Sequence, residues 1–411
     1  MATQTASKFD YQVRDRGGKL VSGQLEAENR EAVAKKLSSM GYAPIKITQV
    51  KDSGLNKDIS IPGLDRVGLK DLAVFSRQFS TMINSGLSLI RSLSILAEQT
   101  ESKKLAQTID VVRTDVEAGR SLSEAMAEHP KVFSNLFVSM VRAGEAAGML
   151  DQVLLRIADM YEKDVELRSK IKSAMTYPII VFFLAIILTT VMLIFIVPVF
   201  AQMFEDLGGE LPLLTRSLVA ASAFVTSWWG VVTYIVVPLG LWFTYKTVRS
   251  NPKGRYALDA AKLRTPVFGP LFRKIALSRF ARNLSTLMGA GVPILQALEI
   301  TSDTVNNGVM GTAIRDVKES VREGESINAP LSTHPIFPPM VVQMIAVGEE
   351  TGNIDGMLEK VADFYDVEIA STTDSLTSLM EPLMIGVIGG IVGGMVIALY
   401  LPMFQIFDLI E

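Results

Sequence analysis

Gly144-Glu145-Ala146-Ala147-Gly148-Met149-Leu150-Asp151 is written once near the middle of the chain, and Gly348-Glu349-Glu350-Thr351-Gly352-Asn353-Ile354-Asp355 answers it far downstream. Each phrase continues the same way, through Leu154, Ala158, Tyr161 and Pro178 in the first copy and Leu358, Ala362, Tyr365 and Pro382 in the second. Self-similarity over so long a period means one supersecondary unit used twice, not two unrelated domains. Leu154, Ile157, Ala158, Tyr161 and Val165 fall at the i, i+3, i+4, i+7 spacing of an amphipathic helix, and Leu358, Val361, Ala362, Tyr365 and Ile369 repeat it. The phrase is therefore a turn that launches a helix.

Working outward, each copy opens with a helix hairpin. Arg77, Phe79, Met82, Ile83 and Gly86 are matched by Arg282, Leu284, Leu287, Met288 and Gly291, and the glycine supplies the left-handed position that ends a helix. Gly119 and Ser121 return as Gly324 and Ser326; Ser121 with Glu124 forms a capping box, which Ala329 and Pro330 remove from the second copy. His129-Pro130 and His334-Pro335 end the short helix that follows, and the two histidines read as turn residues, with no second histidine or cysteine at ligand spacing.

The chain has 411 residues, 49% apolar and 20% charged, with no cysteine and a net charge of −3. The apolar excess is concentrated in runs over 177–204, 218–245 and 382–407, each longer than the ~20 residues that a bilayer core requires. Trp242 and Tyr245 suit an interfacial belt, whereas Trp228 and Trp229 fall too centrally in the second run for that role. Arg168, Lys170 and Lys172 before the first span, and the cluster from Lys246 to Lys274 after the second, place both repeats on the cytoplasmic side. Asp363, Asp366, Glu368, Asp374 and Glu381 before the third span run against that pattern, but acids weigh little in it. Gly386, Gly389, Gly390, Gly393 and Gly394 satisfy GxxxG spacing and are expected to pack against another membrane helix.

Ahead of the repeats, Phe9, Tyr11 and Val13 alternate as a strand does, Asp15 to Gly18 is turn chemistry, Leu20 to Ala27 returns, a helix from Arg30 to Met40 lies between Asn29 and Gly41, and Ala43 to Ile47 completes a ββαβ pattern. The start has no apolar core and does not read as a signal peptide.

Candidate chemistry is sparse. Glu145 with Asp151, and Glu349 with Asp355, are weak candidates for a divalent cation, with too few oxygen ligands in one segment; capping of the helix that follows is the simpler expectation. No P-loop, dinucleotide fingerprint, HExxH, GxSxG or Cys/His cluster is present, so no cofactor and no enzymatic activity are expected. The spans lack the ionisable residues of a transport pathway, and no basic tail points to nucleic acid.

The doubled Gly-Glu-x-x-Gly-x-x-Asp phrase, each copy leading through Ala-Asp-x-Tyr to a proline-led span, resembles the inner-membrane platform proteins of bacterial type IV pili and type II secretion, the PilC/GspF family. Residues 393–404, Gly-Gly-Met-Val-Ile-Ala-Leu-Tyr-Leu-Pro-Met-Phe, look like its pilus branch. The resemblance implies a non-catalytic platform whose cytoplasmic bundles engage a hexameric motor ATPase, while its membrane part handles pilin subunits and other inner-membrane assembly proteins among the lipids. The expected architecture is mostly α and polytopic: a ββαβ module (1–50), a linker (51–66), a first cytoplasmic bundle (67–176), a span (177–204), a periplasmic loop (205–217), a span (218–245), a basic cytoplasmic connection (246–271), a second bundle (272–381), a third span (382–407) and a periplasmic tail (408–411). A homodimer or higher oligomer is expected from the glycine-rich span.

Overall fold

The computed structural model describes residues 7–14, 20–27, 30–39, 42–49, 67–206 and 211–410. The expected Asp15–Gly18 turn, the caps Asn29 and Gly41, the 51–66 linker and residues 207–210 of the acidic loop lie outside the described residues. The chain divides into two compact units, Met1–Arg66 and Val67–Glu411.

In the first unit β1 (Ser7–Arg14) and β2 (Leu20–Ala27) pair antiparallel from Ser7↔Ala27 to Arg14↔Leu20. Then come α1 (Arg30–Ser39) and β3 (Ala43–Gln49), which pairs antiparallel with the other edge of β1 across an irregularity at Gln12/Val13. Val33 and Leu37, one helical turn apart, are the buried face of α1.

The second unit begins with α2 (Leu69–Asn84), α3 (Leu89–Gln99), α4 (Lys103–Glu117), α5 (Leu122–Ala127), α6 (Asn135–Ala147) and α7 (Leu150–Val191). A π-helical turn (Met192–Ile196) leads into α8 (Val197–Asp206), α9 (Leu213–Thr226), α10 (Trp228–Ser250) and α11 (Pro252–Arg264). The second copy is α12 (Gly269–Gly289), α13 (Ile294–Thr304), α14 (Gly308–Arg322), α15 (Asn328–Thr333), α16 (Pro339–Thr351) and α17 (Ile354–Ile410). Positive-φ glycines occur in matched pairs, Gly86/Gly291, Gly119/Gly324 and Gly148/Gly352, so the two copies turn at the same places. The first core is built on Phe75, Phe79, Phe133, Phe137 and Tyr161, whose neighbouring rings stand 5.1–6.1 Å apart. In the second copy Phe280 meets Phe337 at 5.1 Å, and the two cores are continuous.

Among the described residues three helices are long and apolar enough to cross a membrane, Leu150–Met203, Trp228–Ser250 and Ile354–Pro402. The expected boundaries are refined by the structure. Neither 176/177 nor 381/382 is a break: α7 and α17 run without interruption from bundle into apolar segment, with Pro178 and Pro382 inside them. The expected second span is divided at Ser227, whose extended backbone ends α9 and whose hydroxyl accepts a hydrogen bond from the Gly230 N–H to start α10. Trp228 and Trp229 therefore stand in the first turn of α10, roughly 26 Å along the axis from Tyr245, which suits aromatic residues at the two faces of a ~30 Å hydrocarbon layer. The basic connection is helical: Asp259, the buried acid of α11, accepts from the Gly308 N–H (2.8 Å) and caps α14. The 408–411 tail is helical as far as Ile410.

The apolar segments are tied by two polar residues of α9. Thr215 donates to the Ala398 carbonyl of α17 (2.5 Å), and Ser222, two turns on, donates to the Leu193 carbonyl in the π turn (2.5 Å). A π turn displaces carbonyls from their usual helical donors, and Ser222 takes one of them.

Candidate functional site

The duplicated phrase folds identically twice. The Met149 N–H reaches the Gly144 carbonyl (2.9 Å) and the Gly148 N–H the Glu145 carbonyl (3.3 Å); Asn353 and Gly352 repeat this on Gly348 (2.9 Å) and Glu349 (3.4 Å). This is a Schellman ending, which needs the left-handed residue supplied by Gly148 (φ 67°) and Gly352 (φ 71°). The first glycine of the phrase has a different reason. A Cβ on Gly144 would lie 3.0 Å from the Val153 side chain, and one on Gly348 would lie 2.9 Å from the Ile354 Cα, so a hydrogen is what lets α6 and α16 fold back against α7 and α17.

The glutamates do not cap the helix that follows. Glu145 reaches back to α5, accepting from the N–H of Leu122 (2.5 Å) and of Ser123 (3.0 Å), one per carboxylate oxygen. Glu349 does the same for α15 with one oxygen, accepting from the Ile327 N–H (2.9 Å), and its Oε2 is buried with no hydrogen-bond partner. In the first copy the Ser121 hydroxyl adds a cap on the Glu124 N–H (3.2 Å); in the second Ser326 turns instead to Asn328 (2.9 Å). Asp151 and Asp355 occupy the first turns of α7 and α17, where a carboxylate complements the helix dipole. Of the acids weighed as cation ligands, the two glutamates are thus engaged with α5 and α15, and among the described residues no three His, Asp or Glu side chains are grouped as a metal site would need. The Nε2 of His129 is buried without a partner, and that of His334 is 3.7 Å from Asp316. Tyr161 and Tyr365 are buried, which pushes both phenols up from their usual range.

A second duplicated constellation escaped sequence reading. Arg77 of α2 clamps two acids one turn apart on α7, donating to Asp159 (2.5 Å) and to both oxygens of Glu162 (2.7 and 2.6 Å). Arg282 of α12 does likewise to Asp363 (3.4 Å) and Asp366 of α17, and Ser278 adds a bond to Asp366 (2.6 Å). The hydrogen bond from Arg77 holds Glu162 below the usual carboxylate range. The signal was present in the matched Arg77/Arg282 pair and in the Ala-Asp-x-Tyr phrase, but nothing in the spacing says that one faces the other. Three members of the acidic run before the third apolar segment are accounted for in this way: Asp363 and Asp366 serve Arg282, and Glu368 binds Lys274 (2.7 Å).

The two bundles meet along α7. Lys163 reaches Asp363 (2.8 Å), Asp164 faces the half-buried Arg279 (3.5 Å), and Leu167 with Ile171 packs on Leu271, Ile275, Ile369 and Leu376. Burial alone would raise Asp363, but the bonds from Lys163 and Arg282 bring it below its ordinary pKa; burial draws Arg279 down. A cavity of about 360 Å³ remains beside this seam, bounded by Arg168, Arg279, Arg282 and Asp366. A second, of about 410 Å³, is bordered by both signature turns, with Ala147, Met149 and Arg156 from the first and Gly352, Ile354 and Asp355 from the second. The phrase that marks the duplication thus lies where the two copies face each other. The five glycines in the apolar part of α17, Gly386, Gly389, Gly390, Gly393 and Gly394, are not brought against another element: beyond the helix's own backbone, a Cβ on any of them would meet no atom of the described chain within 4 Å.

Comparisons with known proteins match this duplicated arrangement. A model of the type II secretion system protein F family matches twice, at residues 75–198 and 280–402, each match spanning one bundle and its apolar helix, and a model of that family's N-terminal domain matches residues 1–48. The type IV pilus assembly protein PilC of Thermus thermophilus is 46% identical over 97% of this chain and 98% of its own length, and that of Myxococcus xanthus 42% over 99% and 97%. The type II secretion system protein F of Xanthomonas campestris is 35% identical over 97% and 98%. Two family matches, one on each copy of the Gly-Glu turn, together with relatives collinear over nearly the whole length, place the chain in the type II secretion system protein F family.

Proposed function

We propose that this chain is an inner-membrane platform of type IV pilus assembly, coupling a hexameric cytoplasmic motor ATPase to the insertion or removal of pilin subunits. The observation that carries the reading is the continuity of α7 and α17 from bundle into apolar segment. At 1.5 Å per residue the two helices are roughly 63 and 85 Å long, so a displacement imposed on a bundle is delivered to the membrane without passing through a loop. The positive-inside pattern puts the bundles and the N-terminus in the cytoplasm and the C-terminus on the periplasmic side. Within this reading pilins and other inner-membrane assembly proteins are the membrane partners, and the glycine face of α17 is a surface for self-association.

The test is co-purification of the detergent-solubilised full-length chain with candidate hexameric ATPases, with and without nucleotide. Retention of a motor is the expected result; failure of every pilus and secretion motor to bind would sink the coupling. The second reading, a secretion platform assembling a pseudopilus, is supported by the type II secretion relatives at 32–35% identity, against 37–46% for four pilus assembly proteins. Complementation of strains lacking one or the other platform separates them: restoration of pili alone is expected.

A further inference from the structure

The internal seam is one-sided. If the two bundles were related by a twofold axis, α16 and α17 would lie against α2 and α3 just as α6 and α7 lie against α12 and α13, but only the latter packing is formed to any extent. One groove, α12/α17, is filled by the α7 face of the first bundle. Its counterpart, α2/α7, stands open as a cavity of about 510 Å³ lined by Lys70, Val74, Arg77, Glu162 and Val165, and the α17 counterpart of the inserted face is likewise uncovered.

The residues at these two vacant positions differ from the filled ones in a coordinated way. Aligning Arg77 with Arg282 puts Val74 where the seam has Arg279; aligning Tyr161 with Tyr365 puts Phe364 and Val367 where it has Met160 and Lys163. The basic member of each seam ion pair is thus replaced by an apolar residue, Arg279 by Val74 and Lys163 by Val367, while the acids at the matching positions, Glu368 and Asp159, are already held by Lys274 and Arg77. Val74 is 47% exposed, Phe364 49% and Val367 70%; Val74 lies on α2, which has no apolar segment, and Phe364 and Val367 precede the apolar part of α17. In the membrane such exposure would meet lipid; beside a charged Arg clamp in water it is unfavourable. Charge follows the same logic. Lys70 stands on α2 where Ile275 stands on α12, and the exposed Asp374 lies two turns beyond Val367 on the same face of α17, so one basic and one acidic side chain are offered for pairing across the two vacant surfaces.

We propose that a second copy of this chain seats the Phe364/Val367 face of its α17 in the α2/α7 groove of the first, repeating between chains the contact that α7 makes on α12/α17 within one. The proposal names the surface for the self-association included above and does not depend on the motor. Such a contact is heterologous, since groove and inserted face belong to different bundles; copies held in one orientation by a membrane can repeat it only about the membrane normal, which favours a closed ring.

The natural chain has no cysteine, so thiol crosslinking reports on introduced pairs alone. A Val74→Cys copy and a Val367→Cys copy, each full length and carrying different tags, are co-expressed and treated in membranes with a short bismaleimide. The heterotypic adduct is expected in at least fivefold excess over either homotypic one. Lys70→Glu or Asp374→Lys should each lower it severalfold, and the two together should restore it. Lys163→Cys with Asp363→Cys in one chain, a half-exposed internal pair of the seam, confirms that the reagent reaches the bundles. Predominant homotypic adducts would mean a twofold interface and overturn the proposal. So would a Val74→Cys adduct with a different protein, or no adduct while the internal pair reacts.

Discussion

At the residue scale the Gly-Glu phrase separates into two jobs that its sequence ran together. Glycine permits helix contact, and glutamate saturates the N-terminus of the short helix before it. Glu145 uses both oxygens and Glu349 one, so an amide, which keeps a single acceptor oxygen, is a worse replacement in the first copy. Glu145→Gln should destabilise the chain by about 2 kcal/mol and Glu349→Gln by less, ranked by thermal melts of the full chain in detergent; equal effects would contradict the one-oxygen geometry. Gly144→Ala should be costlier than Gly148→Ala, because the first meets the α7 side chains whereas the second meets no atom within 4 Å and bears only the left-handed backbone strain of about 1 kcal/mol. Asp363 makes the pH dependence explicit. Its pKa is depressed in the folded chain, so its contribution is present above its ordinary value near 4 and is lost as pH falls through the lower folded value. Asp363→Asn should therefore reduce stability at pH 7 and flatten its decline in acid, read as melting temperature against pH.

Among the elements, α7 and α17 decide how the molecule works. Each contains a proline near the point where the charged bundle gives way to apolar sequence, and proline there removes a helical donor without ending the helix, because the flanking turns are held by bundle and apolar packing. The π turn and α9 form the other distinctive element. Thr215→Val and Ser222→Ala each remove one buried bond, and interhelical bonds of this kind are worth about 0.6 kcal/mol on average. Each variant should melt slightly lower and still fold; loss of the folded protein from either would show that α9 does more than bridge α17 and the π turn.

For the whole molecule, the exposed glycine face of α17 and the open α2/α7 groove are both surfaces that one chain leaves uncovered. Gly389→Leu with Gly393→Leu should leave the melting temperature almost unchanged, since no neighbour lies within 4 Å, yet weaken self-association measured by crosslinking through cysteines placed elsewhere on α17. A large fall in stability without a change in association would instead place these glycines inside a packed monomer.

Much of this architecture was legible in the chain itself. The duplication, the helix-ending glycines, the Ser121 cap and the apolar segments follow from periodicity and turn chemistry, which act over a few residues and leave a local trace. One boundary was misread for a local reason as well: Ser227 interrupts an apolar run without any change in hydropathy. What only the tertiary structure decided is pairing. Which helix Glu145 caps, which acids Arg77 and Arg282 clamp, and why α7 fills one groove and leaves its twin open depend on contacts between residues far apart in the chain. Composition and spacing carry no record of such contacts, because a carboxylate satisfied by a distant backbone N–H has the same letter as one facing water.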